Sequence, residues 1–182
     1  MKFIIQTRYV QWLTTRAGKK HLALFFILSI VLNIFMNLSM TESMKKAGAL
    51  DIAGFYSVEK AYMIMDNQGD DGRQRYLLIE TTFDLFYPVF YTSFYLIWIA
   101  LTWGAMKNKG NRYLNLFYII PVIIICSDYL ENMGVITLLL NYPDRLNTTA
   151  LLTSIASAVK WGMFPLLNII TLTGTVLKLT NR

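Results

Sequence analysis

The sequence predicts an all-α fold: an integral membrane four-helix bundle with a short amphipathic helix in its long first, outer connection. Three observations carry this. Of the 182 residues, 55% are hydrophobic and only 15% charged, well under the roughly 25% charge of a soluble domain. Apolar stretches at about 22–40, 77–106, 113–140 and 149–177 each supply the ~20 helical residues that cross a ~30 Å hydrocarbon core. Only helices or closed barrels satisfy their backbone hydrogen bonds there. The third observation is where the charge sits. Lys2, Arg8, Arg16, Lys19 and Lys20 precede the first span, Lys107, Lys109 and Arg112 fill the second connection, and Lys178 and Arg182 close the chain. By the positive-inside rule both termini are cytoplasmic, in a cell membrane, and residues 1–182 form one four-span domain. This distribution makes the net charge of +6 a membrane signal and excludes nucleic acid as partner; the bilayer is the partner it does imply.

Residues 1–21 mix Phe3, Ile4, Ile5, Tyr9, Val10, Trp12 and Leu13 with basic side chains, which suits a helix on the cytoplasmic leaflet or a plain orienting leader. The first apolar run is longer than a signal-peptide core. The nearby Ala47-Gly48-Ala49 lies beyond Lys45 and Lys46, so we read an uncleaved anchor. Asn33 and Asn37, four residues apart in that span, share a face expected to look inward and bond to a neighbouring helix.

The first connection, 41–76, predicts a short helix from Ser57 to Met65, with Ser57 as cap and Phe55, Val58, Tyr62 and Met65 as an edge for the outer interface. Asp66 through Gly72 then read as a turn. The acids there do not make an EF-hand, because aligning Gly72 with the fixed glycine puts Leu78 where a bidentate Glu is needed. No metal or cofactor is expected. Cys126 and His21 are the only residues of their types, which removes His/Cys zinc sites, bis-histidine haem and His-based triads.

In the second span, Glu80, Asp84, Tyr87, Tyr91, Tyr95, Trp98 and Thr102 fall three or four apart on one face, either a hydrogen-bonded seam or a ligand groove. Pro88 frees a carbonyl one turn back, at Asp84, and can kink the helix. The third span sets Asp128, Glu131 and Asn132 over one face. In the fourth, Lys160 is the one cation, with Thr153, Ser157 and Asn168 near its face; Ser154, Ala158 and Gly162 form a small-residue stripe suited to a close helix neighbour.

Counted inward from the outer ends at ~1.5 Å per residue, Asp84, Glu131, Lys160 and Asp128 lie roughly 10, 14, 15 and 18 Å deep. A buried charge near mid-bilayer costs about 2.5 to 3.5 kcal/mol on insertion scales, so these groups should face one another, a cavity or water. Lys160 is expected to pair with a carboxylate, and one cation cannot neutralise three acids. The candidate ligand-binding or proton-relay residues are therefore Asp84, Tyr87, Tyr91, Asp128, Glu131, Asn132 and Lys160. Their expected occupant is a small cationic or amphipathic ligand, or a transferred proton. A buried network that only fixes helix register, a lipid-modifying enzyme with a carboxyl acid/base pair, and an accessory subunit that binds a membrane protein partner stay open.

Gly54-Phe55-Tyr56, Gly69-Asp70-Asp71-Gly72-Arg73, the Phe83–Tyr91 string, Ser127–Asn132, Tyr142-Pro143 and Ala158–Trp161 together resemble a group of small four-span bacterial membrane proteins with no assigned function, over roughly residues 50–165. The resemblance implies a shared architecture and no reaction. The layout is also similar to that of the sterol-isomerase-like four-span family, whose catalytic motifs do not align with this chain.

Overall fold

The computed structural model describes residues 8–104 and 116–180. Lys2, Phe3, Ile4 and Ile5, the basic turn with Lys107, Lys109 and Arg112, Tyr113, and Arg182 lie outside the described residues. The described chain is all-α: α1 (Arg8–Thr15), α2 (Lys19–Ser39), α3 (Glu42–Ala47), a 3-10 turn (Leu50–Ile52), α4 (Val58–Thr81), α5 (Phe83–Trp103), α6 (Ile119–Asn141) and α7 (Asn147–Thr180). Four helices are long and apolar enough to cross a membrane: α2, α5, α6 with the turn before it, and α7. This is a multi-pass membrane protein. Its outward faces agree, with Leu38, Leu130, Met133, Leu152 and Ile169 more than half exposed, which a lipid solvent favours.

The strongest packing is the antiparallel pair α6 and α7, and α2 rests chiefly on α5. Gly134 sets the first contact, since a Cβ there would run into the Thr153 side chain; small residues at such crossings let backbones approach. The predicted small-residue stripe has a different use. Gly162 has nothing within 4 Å of its missing Cβ, and Ser154 is bonded to the first connection. Its hydroxyl accepts from Tyr56 N at 2.8 Å and donates to Tyr56 O at 2.7 Å, clamping the first connection onto α7.

That connection is a packed cap. Ser57 does cap α4, accepting from Lys60 N at 3.2 Å, but the helix does not stop at Met65. It runs 24 residues to Thr81, broken only at Gly69 (φ 67°, ψ 179°), a conformation open to Gly at little steric cost. The expected turn over Asp66–Gly72 is thus one kinked residue within a helix. Tyr62 and Met65 are not interfacial either. Both are fully buried in a core with Met44, Leu50, Tyr76, Ile79, Val135 and Leu138, because the cap has its own apolar underside to cover. Tyr62 OH donates to Asp144 O at 3.3 Å and accepts from Leu146 N at 2.6 Å. Phe55 stays exposed.

The second span begins later than predicted. Thr82 leaves helical geometry (φ −119°, ψ −80°), so Glu80 ends one helix and Asp84 starts the next; the seven-residue stripe is really two segments that meet at a bend. Helix α5 runs unbroken through Pro88. At the other end Leu13 is buried with Ala17, Leu96 and Ile97, so one face of α1 packs on the bundle. His21 is structural: its Nδ1 accepts from Gly18 N at 3.1 Å, closing the start of α2.

Candidate functional site

The α6/α7 register assembles the charged centre. In an antiparallel hairpin, a step back along one helix is matched by a similar step forward along the other. From the Gly134/Thr153 contact, three residues back along α6 and four forward along α7 reach Glu131 and Ser157, and six back and seven forward reach Asp128 and Lys160. Lys160 Nζ donates to Asp128 Oδ1 at 3.0 Å and also contacts Glu131 Oε2. It therefore holds two carboxylates, where the expectation was one. Tyr91 OH donates to the other Asp128 oxygen at 2.6 Å, so α5, α6 and α7 all meet at Asp128.

Proline chemistry ties α5 to α6. Pro88 has no N–H for the Asp84 carbonyl four residues back. Asn132 Nδ2 fills that role at 3.3 Å, and Tyr129 OH reaches the next carbonyl, Leu85 O, at 2.9 Å. Asn132 is a strut, aligned by backbone, with no side-chain bond to the ion pair.

A cavity of about 270 Å³ opens beside this centre, and Asp51, Asp84, Asp128, Lys160, Tyr87 and Tyr91 are among its lining residues. Asp84 is 3% exposed. Its carboxyl makes no hydrogen bond or ion pair with any described residue, whereas Asp128 is bonded on both oxygens. Glu131, expected at the centre of a binding site, is fully buried and does not line the cavity; Lys160 stands between. Tyr87 packs its ring edge against Tyr91 at 5.2 Å.

Three predictions need correction or addition. Asn33 and Asn37 are both exposed on their helix; Asn37 bonds back to Asn33 O at 2.8 Å. Asn33 alone meets the expectation of a bond to a neighbouring helix: it reaches the cavity and hydrogen-bonds Tyr87 on α5, while Asn37 does not, because α2 meets the bundle along one edge and buries Met36 alone. Asn168 serves α5, accepting from Tyr95 OH at 2.9 Å, away from Lys160. Asp51 was not singled out by its sequence context, yet it lines the cavity from the cap. Tyr76 OH donates to its Oδ1 at 2.7 Å, while its carbonyl accepts from Trp161 Nε1 at 2.7 Å. The available signal was weak: one acid beside Leu50 and Ile52 in a polar connection.

Behind the ion pair lies a second polar group. Tyr56 Oη and both Glu80 oxygens are buried without a hydrogen-bond partner among the described residues. Glu80 lies just before the α5 span. Burial, then the neighbouring Asp51 and Asp84 charges, push its carboxyl well above the ordinary range, against an opposing pull from Lys160. Burial and the acids likewise push the Tyr56 phenol up. The sign for Glu80 follows from linkage. The folded chain keeps a proton that the unfolded chain releases above about pH 4.3, so this group lowers stability as pH rises from there. Glu80→Gln should remove that slope: its unfolding midpoint relative to wild type should rise between pH 4 and 8 in thermal scans of detergent-purified protein. A constant difference across that range would contradict a protonated Glu80.

Comparison with family models, curated proteins and solved structures found no match. The geometry of the site itself carries the functional argument. Among the described residues no group of three His, Cys, Asp or Glu side chains converges tightly enough to hold a metal ion; the cavity instead offers separated carboxylates on an aromatic wall.

Proposed function

We propose that the cavity binds a small ligand with a cationic amine, with the Asp84 carboxylate as its direct partner. Asp128 forms the fixed wall, oriented by Lys160 and Tyr91, and Tyr87 and Tyr91 shape the mouth. Glu131 completes the neutralisation of Lys160 from behind, and Asn132 holds Asp84 in place through the backbone. With both termini cytoplasmic in the cell membrane, the cavity lies in the outer half of the bilayer.

The observation that carries this is Asp84: a buried carboxyl, unpaired, facing open space. Burying such a group is costly without a partner, and the one nearby ammonium is already engaged twice. A network serving only helix register would close on itself, as Asp128, Lys160 and Tyr91 do, and would leave no acid facing a cavity. An accessory subunit would keep its polar stripe toward lipid for a partner to cover; here Asp84, Tyr91, Asp128 and Asn132 turn inward. A carboxyl acid/base enzyme acting on lipid would use this same cavity, and no observation favours a reaction over binding.

Full-length protein in phosphatidylcholine nanodiscs should bind n-butylammonium saturably in isothermal titration calorimetry. Asp84→Asn should weaken binding about ten- to a hundredfold, the value of one charge-assisted hydrogen bond, with little change in melting temperature. Equal affinity in wild type and variant, or no saturable binding to either, would overturn the proposal.

A further inference from the structure

We infer that the amine site continues into a lipid-facing cleft that holds an alkyl tail, so that its ligand is a single-chain amphiphile with a primary ammonium head, entering sideways from the bilayer. This rests on the amine reading of the cavity given above.

A second cavity of about 360 Å³ adjoins the first, and the two share Asn33, Tyr87, Tyr91 and Phe164 as lining. Their characters differ sharply. The first presents Asp51, Asp84 and Asp128; the second is walled by Phe26, Ile30 and Ile34 on α2 and by Phe94 on α5. Helix α2 rests on α5 and packs little on α7. A gap therefore remains between α2 and α7, floored by α5, and the α2 residues along it are 42 to 50% exposed, facing the lipid side. A cleft of this volume, apolar and open along one side, has room for an alkyl chain.

The division of labour follows from the solvent. Moving a tail from lipid into an apolar cleft exchanges one hydrocarbon environment for another, so the cleft gains no hydrophobic free energy and selects by fit. Discrimination falls to the head. An ammonium there meets the free Asp84 carboxylate, with Asp51 and Asp128 nearby. A phosphate beside the amine would find no spare cation, because Lys160 is held by Asp128 and Glu131. A plain alkylamine head is favoured over that of an aminophospholipid.

The test uses full-length protein in phosphatidylcholine nanodiscs with a dodecylamine analogue carrying a mid-chain diazirine, the crosslinked peptides being mapped by mass spectrometry. Labelling should saturate within 26–34 and 94–95. Unlabelled dodecylamine should compete at least tenfold better than dodecanol or lysophosphatidylethanolamine at equal mole fraction. Ile30→Trp, which fills the cleft, should cut labelling at least tenfold; if its melting temperature falls, Phe94→Trp is read in its place. If wild type binds n-butylammonium yet labelling does not saturate, or survives both Trp variants, the tail cleft is wrong and the amine site stands. Competition by lysophosphatidylethanolamine equal to dodecylamine would overturn the plain-amine head. Absence of n-butylammonium binding would remove the amine reading itself.

Discussion

Replacing Lys160 with Met should destabilise the protein by about 3 to 5 kcal/mol, the usual cost of stranding the partners of a buried ion pair. Both partners are affected. Asp128 and Glu131 are 3% and 0% exposed, so neither can turn to water once the ammonium is gone. The loss is read in thermal or SDS unfolding of purified protein. Adding Glu131→Gln to the Met variant should recover part of the stability, because the amide removes one stranded charge; by itself, Glu131→Gln should cost less than Lys160→Met. Additive effects of the two substitutions would show that Glu131 does not depend on Lys160 in solution. Asp128 also accepts from Tyr91, a bond that neither substitution removes directly and that should leave the wall of the cavity partly supported.

Gly134→Leu should be the most damaging substitution outside the charged centre, in stability and in ligand binding together. Even a Cβ at this position would overlap Thr153, and over-packing typically costs about 1 to 3 kcal/mol before any backbone shift. The functional effect comes from register. If α7 moves away from α6, Lys160 loses its place opposite Asp128, and the wall that faces Asp84 opens. Gly134→Ala should show the same two effects in smaller measure. Loss of n-butylammonium affinity should track loss of stability across Gly134→Ala and Gly134→Leu, whereas Asp84→Asn loses affinity alone. A Gly134→Leu protein with wild-type melting and binding would mean that the close crossing does not set the site.

Chemistry that depends on spacing along one helix was legible in advance. Asp128, Glu131 and Asn132 share a face because helical geometry puts offsets of three and four together. Pro88 announces a free carbonyl at Asp84 because the missing N–H is a property of the residue. Ser57 caps its helix for an equally local reason. Where the expectation failed, a second element had intervened. Tyr62 and Met65 look interfacial on their own helix, and are core because the α6/α7 turn lies against them. Asn33 and Asn37 share a face, yet that face meets the bundle only at its edge, so Asn33 bonds to Tyr87 on α5 while Asn37 turns back on its own helix. Ser154 belongs to a small-residue stripe and is spent on Tyr56.

By itself, the sequence determined that this chain is all-α, that four of its segments are long and apolar enough to cross a membrane, and that acids and one lysine are buried among them. Hydropathy, helical periodicity and residue chemistry act over a few turns and need no partner to be read. Which acid is satisfied and which is left open was decided only in three dimensions. Asp84 and Asp128 are the same residue type in similar apolar runs; Asp128 meets Lys160 and Tyr91, and Asp84 meets a cavity that the distant Asp51 helps to close. That distinction depends on helix crossing and register, which packing across the whole bundle sets.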